Sequence, residues 1–186
     1  MILKKIISKK RFLFLDRDGV INKRKVDDYI SCWDDFEFLP GVLNAMKAFA
    51  QQFERIIIVT NQQGIGKNIM SHQDLKEIHQ KLKQTVIENH GQIDGIYYCS
   101  MLKDAPNNCR KPGNTMALQA QRDFPEINFN ESLMVGDTST DMEFGKNMGM
   151  STILLQNKHT TENDRKHADA FIHQLTEISE RKNKLY

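Results

Sequence analysis

The stretch Arg11-Phe12-Leu13-Phe14-Leu15-Asp16-Arg17-Asp18-Gly19-Val20 changes abruptly from apolar to acidic residues after Leu15. A continuous apolar run, in contrast to an alternating one, is typical of a strand buried on both faces of a parallel sheet. Similar runs occur further along the chain, at 55–60, 93–99, 133–135 and 152–155, and a short run at 170–172 is a candidate sixth strand. The pattern therefore predicts a central parallel sheet.

Helical patterns fill the gaps between these runs. A breaker pair, Pro40-Gly41, precedes regularly spaced apolar residues, and Ser71 with Asp74 is typical of a helix N-cap. Because strands and helices alternate, the chain is expected to be a doubly wound α/β domain with helices flanking the sheet. Residues 1–186 show no repeat and no linker, so a single domain is expected.

The composition excludes several classes of protein. The chain has 26 basic and 24 acidic residues, and much of the basic excess lies in 4–11. This charge distribution does not indicate a nucleic-acid-binding surface. No apolar run approaches the roughly 20 residues that cross a bilayer. Cys32, Cys99 and Cys109 are an odd number of cysteines without a C-x-x-C motif, which indicates free thiols in a reducing cytoplasm. We therefore expect a cytoplasmic protein that binds neither nucleic acid nor membrane.

Polar residues at the ends of the predicted strands are the candidates for a functional site. In open α/β sheets, ligands bind outside the carboxyl ends of the strands, and a basic pair lies between the third and fourth strands. Acids, a hydroxyl and a lysine are therefore expected to converge on one rim of the sheet. These residues are Asp16, Asp18, Thr60, Arg110, Lys111, Asp137 and Asp141.

Such a group of side chains suits the hydrolysis of a phosphate ester. Clustered carboxylates repel one another unless a cation holds them, and hard oxygen ligands favour Mg²⁺. Asp16 can act as a nucleophile that forms an aspartyl-phosphate. Asp18, two residues on in an extended segment, points to the same side and can serve as general acid and base. The Thr60 hydroxyl and the Lys111 ammonium can hold the phosphoryl oxygens.

Each feature also has a purely structural explanation. Acids after a strand are often turn formers, so the D-x-D-G motif at 16–19 is not decisive alone. An aspartate at the position of Asp141 commonly caps a helix. The histidines in or near one amphipathic helix, His72, His79 and His90, are interpreted as structural groups. The joint order of acids, hydroxyl and lysine at strand ends favours the functional interpretation.

The same residues resemble the four motifs of the haloacid dehalogenase (HAD) phosphatase superfamily. The resemblance is closer to one branch, the D-glycero-D-manno-heptose 1,7-bisphosphate phosphatases and their histidinol-phosphatase relatives, and it extends over roughly residues 11–155. The matching segments are Asp16-Arg17-Asp18-Gly19-Val20-Ile21-Asn22, Tyr29-Ile30, Phe36-Glu37-Phe38-Leu39-Pro40-Gly41, Thr60-Asn61-Gln62-Gln63-Gly64-Ile65-Gly66, Cys109-Arg110-Lys111-Pro112 and Gly136-Asp137-x-x-x-Asp141.

This resemblance implies a Rossmann-like HAD fold without a large cap domain, and a monomer. It implies Asp16 as the nucleophile and Asp18 as the general acid and base. Mg²⁺ is then expected to bind the Asp16 carboxylate, the Asp137 carboxylate and the backbone carbonyl of Asp18. Asp141 is expected to support these ligands without binding the ion directly. The residues implied for phosphate binding are Thr60, Asn61 and Lys111, and those implied for substrate binding are Gln62 and Arg110.

The chain departs from the family pattern in its zinc loop. That loop resembles C-x-H followed by C-x-C, but here Met101 replaces the histidine and Asn107 replaces one cysteine. A closed zinc site takes four ligands, normally Cys or His, so zinc is predicted to be absent. The remaining Cys99 and Cys109 can form a disulfide only if their Cα atoms lie within about 7 Å. A reducing cytoplasm argues against that state.

Two further departures concern the substrate. Thr138 stands at the position of a family lysine, and the segment 22–29 is about two residues longer than in the heptose enzymes. The leading hypothesis is a Mg²⁺-dependent phosphatase for a small sugar phosphate, with a heptose 1,7-bisphosphate that loses its 7-phosphate as the expected substrate. Histidinol phosphate is the nearest alternative, and a nucleic-acid 3′-phosphate is disfavoured because no basic stripe is present.

Proteins of two other classes remain as alternatives. A receiver domain also phosphorylates an aspartate on Mg²⁺, but it would place that aspartate after the third strand, where this chain has Tyr97-Tyr98-Cys99-Ser100. An inactive binding domain would not need the complete set of hydrolytic residues that this chain retains. Turnover of a phosphate ester would exclude both.

Overall fold

The structure, a computed structural model, describes residues 2–25 and 28–182. The apolar runs form six parallel strands in one sheet, in the order β3-β2-β1-β4-β5-β6. β1 lies in the middle and pairs with β2 and β4. The strands are β1 (Phe12–Leu15), β2 (Arg55–Asn61), β3 (Gly95–Cys99), β4 (Ser132–Gly136), β5 (Ser151–Leu155) and β6 (Ala170–Ile172).

Helices follow most of the strands, as the alternating pattern predicts. The capping box predicted at Ser71 and Asp74 is present, because each side chain bonds the backbone of the other. The helices are α1 (Ile2–Ile7), α2 (Val42–Phe49), α3 (Gln63–Gly66), α4 (His72–Glu88), α5 (Thr115–Asp123), α6 (Ser139–Asn147), α7 (Glu162–Arg165) and α8 (Thr176–Lys182). Among the described residues, no large cap domain interrupts this order. The predicted Rossmann-like architecture is therefore confirmed.

The central strand is buried on both faces, which explains its unbroken apolar run. Leu13 and Leu15 belong to one core cluster, beneath α1, α2, α4 and α8. Phe12 and Phe14 belong to the cluster on the other face, with buried residues of α5 and α6. Helix α1 was not predicted; its Leu3 and Ile7 are buried against the first cluster.

The expectation of free thiols is wrong for two of the three cysteines. Cys99 ends β3, and Cys109 lies in the loop that returns past this strand end; their Cα atoms are 5.6 Å apart, and a disulfide joins them. This separation meets the geometric condition for pairing. Cys32 is free and exposed. In the described part of the chain, no helix combines the length and apolar character needed to cross a bilayer.

Candidate active site

Three carboxylates meet at the carboxyl end of the two central strands. Asp16 follows β1, Asp137 follows β4, and Asp141 lies in the first turn of α6. All three are buried, and each offers an oxygen within 4.8 Å of the others. The register of β1 with β4 places them together, because the Asp16 N–H continues the ladder by donating to Val135 O at 3.0 Å. The predicted convergence of these acids is observed.

Two glycines allow the backbone to come this close. Gly19 has a φ of +96°, and a Cβ built there would lie 2.1 Å from Oδ2 of Asp137. A Cβ at Gly136 would lie 2.1 Å from Cβ of Asp141. Any other residue at either position would push a carboxylate out of the cluster.

The Lys111 ammonium lies between the carboxylates. Its Nζ is 2.8 Å from Asp16 Oδ1 and 2.6 Å from Asp141 Oδ1, and it donates to Val59 O at 2.8 Å. The side chain of Asn61 fixes the backbone of this lysine, since its Oδ1 accepts from Lys111 N at 3.0 Å and its Nδ2 donates to Lys111 O at 3.3 Å. The amide of Asn61 is thus used to position Lys111. A phosphate contact by Asn61 stays a prediction.

Asp141 serves two purposes through two different oxygens. Its Oδ2 accepts from the backbone N–H of Thr138 at 3.1 Å and from the Thr138 hydroxyl at 2.6 Å, which caps α6. Its Oδ1 contacts Lys111. The structural and the functional interpretation of this aspartate therefore both apply.

Arg24 is a part of the site that the sequence analysis missed. Its Nη2 lies 2.8 Å from Asp137 Oδ1 and 3.8 Å from Asp16 Oδ2, and it donates to the carbonyl of Asp18 at 2.9 Å. These are the three groups implied as Mg²⁺ ligands. The sequence offered one signal, since Arg24 lies in the segment 22–29, which is expected to depart from the family pattern.

The electrostatics reflect this crowding of charge. Burial raises the pKa of Asp16 to about 6, against the opposing charge of Lys111. Burial also raises the pKa of Asp137 well above its usual range, against the charge of Arg24. For Lys111, burial lowers the pKa, but the carboxylates of Asp141 and Asp16 outweigh it and raise the pKa. Cations are therefore required to keep these acids ionised at neutral pH.

Asp18 is held by a separate set of donors. Arg17, which is fully buried, donates from Nη2 to both oxygens of Asp18 at 2.9 Å. Asn22 Nδ2 donates to Asp18 Oδ1 at 2.9 Å, and Gln62 Nε2 donates to Asp18 Oδ2 at 2.8 Å. Burial raises the pKa of Asp18, but the charge of Arg17 and these hydrogen bonds outweigh burial and lower it. Asp18 is therefore ionised in this arrangement.

Gln62 also contacts the predicted phosphate-binding hydroxyl. Its Nε2 donates to Thr60 Oγ1 at 2.7 Å, so the hydroxyl hydrogen of Thr60 remains free to point into the cavity. Gln62 is buried and links Thr60 to Asp18. A direct contact of Gln62 with substrate stays a prediction.

These side chains surround a cavity of about 230 Å³ at the carboxyl end of the sheet. Its lining includes Asp16, Asp18 and Thr60. The other side chains around it are Arg24, Lys25, Asp28, Tyr29, Ile30, Asn61, Gln62, Arg110, Lys111, Thr138, Thr140 and Asp141. All predicted site residues except Asp137 line the cavity, and Asp137 adjoins it through its ion pair with Arg24.

The oxygen cluster fits a divalent cation. Asp16 and Asp137 offer carboxylates, the Asp18 carbonyl is directed at the same point, and the Arg24 guanidinium already contacts all three. Hard oxygen donors of this kind suit Mg²⁺. The position of the Arg24 guanidinium thus shows that a positive ion, such as Mg²⁺, can bind among these oxygens.

The fold and the site together define a HAD-like hydrolase. The sequence model of the HAD-hydrolase-like family matches residues 108–178. The fold is similar to that of the D,D-heptose 1,7-bisphosphate phosphatase from B. bronchiseptica, which was solved with magnesium and phosphate. That structure aligns with a TM-score of 0.82 at 24% identity over 95% of this chain and 99% of its own.

Curated relatives identify the family of HAD-like hydrolases to which the chain belongs. The D-glycero-alpha-D-manno-heptose-1,7-bisphosphate 7-phosphatase of Mycobacterium bovis is 39% identical over 73% of this chain and 72% of its own length. The D-glycero-beta-D-manno-heptose-1,7-bisphosphate 7-phosphatase of Helicobacter pylori is 35% identical over 77% of this chain and 82% of its own. The chain belongs to the heptose-1,7-bisphosphate 7-phosphatase family of HAD-like hydrolases and is a phosphatase.

Proposed function

We propose that this phosphatase removes the 7-phosphate of a D-glycero-D-manno-heptose 1,7-bisphosphate through an aspartyl-phosphate on Asp16. The observation that carries the proposal is the placement of Asp16 beside Lys111, with Asp18 and Thr60 lining the same cavity. The curated relatives act on the same substrate according to their names, which differ only in the anomer.

The reaction requires two displacements at phosphorus. When substrate binds, the negative phosphoryl group raises the pKa of Asp18, so its carboxylate takes up a proton from water before the reaction. A carboxylate oxygen of Asp16 then attacks the phosphorus, the bond to the sugar oxygen breaks, and Asp18 gives that proton to the leaving oxygen. Water then attacks the phosphorus of the aspartyl-phosphate, Asp18 accepts a proton from that water, and the Asp16 carboxylate is released. The Thr60 hydroxyl donates to a phosphoryl oxygen, and Lys111 offsets the charge that gathers around Asp16.

Asp16, Asp137 and the carbonyl of Asp18 would hold Mg²⁺, with Asp141 keeping Lys111 in place behind them. When bound, the ion would neutralise negative charge on the phosphoryl group. Arg24 must then withdraw from at least one of these oxygens, because two cations cannot share the same contacts.

The cations in the lining of the cavity favour a doubly phosphorylated sugar over histidinol phosphate. Arg24, Lys25 and Arg110 line the cavity, and the half-buried Arg110 donates to the carbonyl of Met101 at 3.4 Å. A second phosphate would meet these cations favourably. Histidinol phosphate would instead bring an ammonium group toward them, and like charges repel.

The proposal also covers the assembly, the location and the zinc content of the enzyme. We also propose a monomeric enzyme of one catalytic domain. We propose that it works in the cytoplasm, because a sugar with two ionised phosphate groups does not cross a bilayer unaided. The pairing of Cys99 with Cys109 supports the absence of zinc, since disulfide sulfurs are not thiolate ligands.

The test is phosphate release from heptose 1,7-bisphosphate (both anomers) and histidinol phosphate, each with Mg²⁺ and with excess EDTA. We expect one equivalent of phosphate per bisphosphate, dependence on Mg²⁺, and a higher kcat/KM than for histidinol phosphate. Asp16→Asn should abolish release, whereas the exposed loop variant Asp104→Asn should match the wild type. A higher kcat/KM for histidinol phosphate, or full activity in EDTA, would contradict the proposal.

A further inference from the structure

A buried histidine on α4 lies behind the general acid and is not used by the mechanism above. Nε2 of His79 lies 3.2 Å from Nη1 of Arg17, and the same guanidinium binds both oxygens of Asp18. His79 and Arg17 are both buried. The three residues therefore form a continuous contact from helix α4 to the active-site carboxylate.

The direction of each hydrogen bond in this contact is fixed by chemistry. A guanidinium carries only donors, so Nε2 of His79 must be the acceptor and the ring must be neutral. Burial and the nearby charge of Arg17 lower the pKa of His79 to about 3, which keeps it neutral at physiological pH. The aromatic ring of Tyr98 on β3 packs edge-on to the imidazole, with ring centres 5.9 Å apart.

Arg17 needs this acceptor because it is fully buried. A buried guanidinium must satisfy its N–H groups within the protein, and a donor without an acceptor costs free energy. Its Nε and Nη2 are directed at Asp18, at 3.3 and 2.9 Å, and Nη1 is directed at His79. The acceptor on His79 therefore fixes the plane of the guanidinium, and the planar fork fixes the plane of the carboxylate.

We propose that His79 is a positioning residue that acts through Arg17 to orient Asp18 for proton transfer; this inference rests on the proposed role of Asp18. Removal of the acceptor frees Arg17 to turn, and Asp18 then loses the orientation it needs to protonate the leaving oxygen. Asn22 and Gln62 still hold Asp18 from its other side, so the loss is partial. His79 exchanges no proton with substrate.

The distinguishing measurement is the dependence on the leaving group. The first displacement needs a proton donor for an alkoxide leaving group but not for p-nitrophenolate, and kcat/KM reports that step. His79→Leu should lower kcat/KM for heptose 1,7-bisphosphate by about tenfold to a hundredfold, part of the general-acid contribution. It should lower kcat/KM for p-nitrophenyl phosphate by less than about threefold. His79→Gln retains an acceptor and should recover most of the loss.

The control is Ile78→Val, at a fully buried position next to His79, which changes packing but no acceptor. An equal loss on both substrates in His79→Leu, or no loss on either, would overturn the proposal. A failure of the wild type to hydrolyse either substrate would reject the proposed function instead. The Arg17 Nε–H resonance in ¹⁵N-resolved NMR needs no turnover: it should shift in His79→Leu and be retained in His79→Gln, and an unchanged resonance in His79→Leu would refute the positioning.

Discussion

Nη2 of Arg24 lies 2.8 Å from Oδ1 of Asp137 and bridges from it to the backbone carbonyl of Asp18, 2.9 Å away. Arg24 comes from the loop after β1, whereas Asp137 follows β4, so the contact joins two segments that are 113 residues apart. This loop therefore places a positive charge on the oxygens proposed to bind Mg²⁺.

The first prediction follows from that placement. Arg24→Met removes a cation that competes with Mg²⁺ for the same oxygens, so the Kd for Mg²⁺ should fall by at least about tenfold, or about 1.4 kcal/mol. Isothermal titration of the metal-free protein with Mg²⁺ measures it. Lys23→Met is the control, because Lys23 pairs with Glu37 outside the site. Weaker or unchanged binding in Arg24→Met would show that the two cations do not compete.

The second prediction concerns the lysine between the carboxylates. Lys111→Met leaves Asp16 and Asp141 buried without their shared cation. Removing one partner of a buried ion pair typically costs about 3–5 kcal/mol, so the free energy of unfolding in EDTA should fall by about 3 kcal/mol. Urea denaturation measures it, and saturating Mg²⁺ should restore part of the loss. Unchanged stability in EDTA would mean that Lys111 does not hold the acids together.

The third prediction is a pH dependence of stability that arises from His79. Its pKa is lowered from 6.5 to about 3 in the folded chain, where Arg17, Asp18 and the ring of Tyr98 surround it. Because the unfolded state binds more protons in this interval, stability falls as the pH drops through about 6.5. Between about pH 7 and about pH 5 the histidine should account for about 2 kcal/mol.

Glutamine does not titrate in this range. Between about pH 7 and about pH 5, the free energy of unfolding of His79→Gln should therefore fall by about 2 kcal/mol less than that of the wild type. Parallel urea denaturation curves at the two pH values test this, since all other titrating groups are common to both proteins. Identical losses in the two proteins would mean that His79 is protonated in the folded state or accessible to water.

The fourth prediction addresses the cysteines and zinc. Protein purified without chelator should contain far less than one equivalent of zinc. In denaturant without reductant it should show one reactive thiol, that of Cys32, because Cys99 and Cys109 are paired. Elemental analysis and thiol titration measure the two quantities. Stoichiometric zinc that is lost in Cys109→Ser would contradict both expectations.

The strands and the acids at their ends could be predicted because both follow from patterns of neighbouring residues in the sequence. An unbroken apolar run that stops at Asp16 requires a strand buried on both faces, and the carboxyl ends of parallel strands share one edge. The convergence of Asp16 with Asp137 follows from these two facts and needs no side-chain detail. The buried acids are also the residues that the family resemblance identifies.

The side chains that hold the site could not be predicted in the same way. His79 was interpreted as structural, because nothing in the pattern of an amphipathic helix shows that its ring reaches a buried arginine from another element. The disulfide depends on how the loop after β3 returns to the sheet, which two cysteines ten positions apart do not specify. Arg24 depends on a loop conformation that loop length alone does not determine.

The most direct test of the account is to find where the phosphoryl group is held during turnover. Asp18→Asn should slow hydrolysis of the intermediate but not its formation from p-nitrophenyl phosphate, whose leaving group needs no proton donor. Rapid acid quench with p-nitrophenyl phosphate and Mg²⁺, followed by peptide mass spectrometry, should therefore locate a phosphoryl group on Asp16. Borohydride reduction of the acyl phosphate should mark the same residue, and Asp16→Asn should show neither the label nor turnover. A phosphoryl group on a different residue, or hydrolysis by purified Asp16→Asn, would contradict the account.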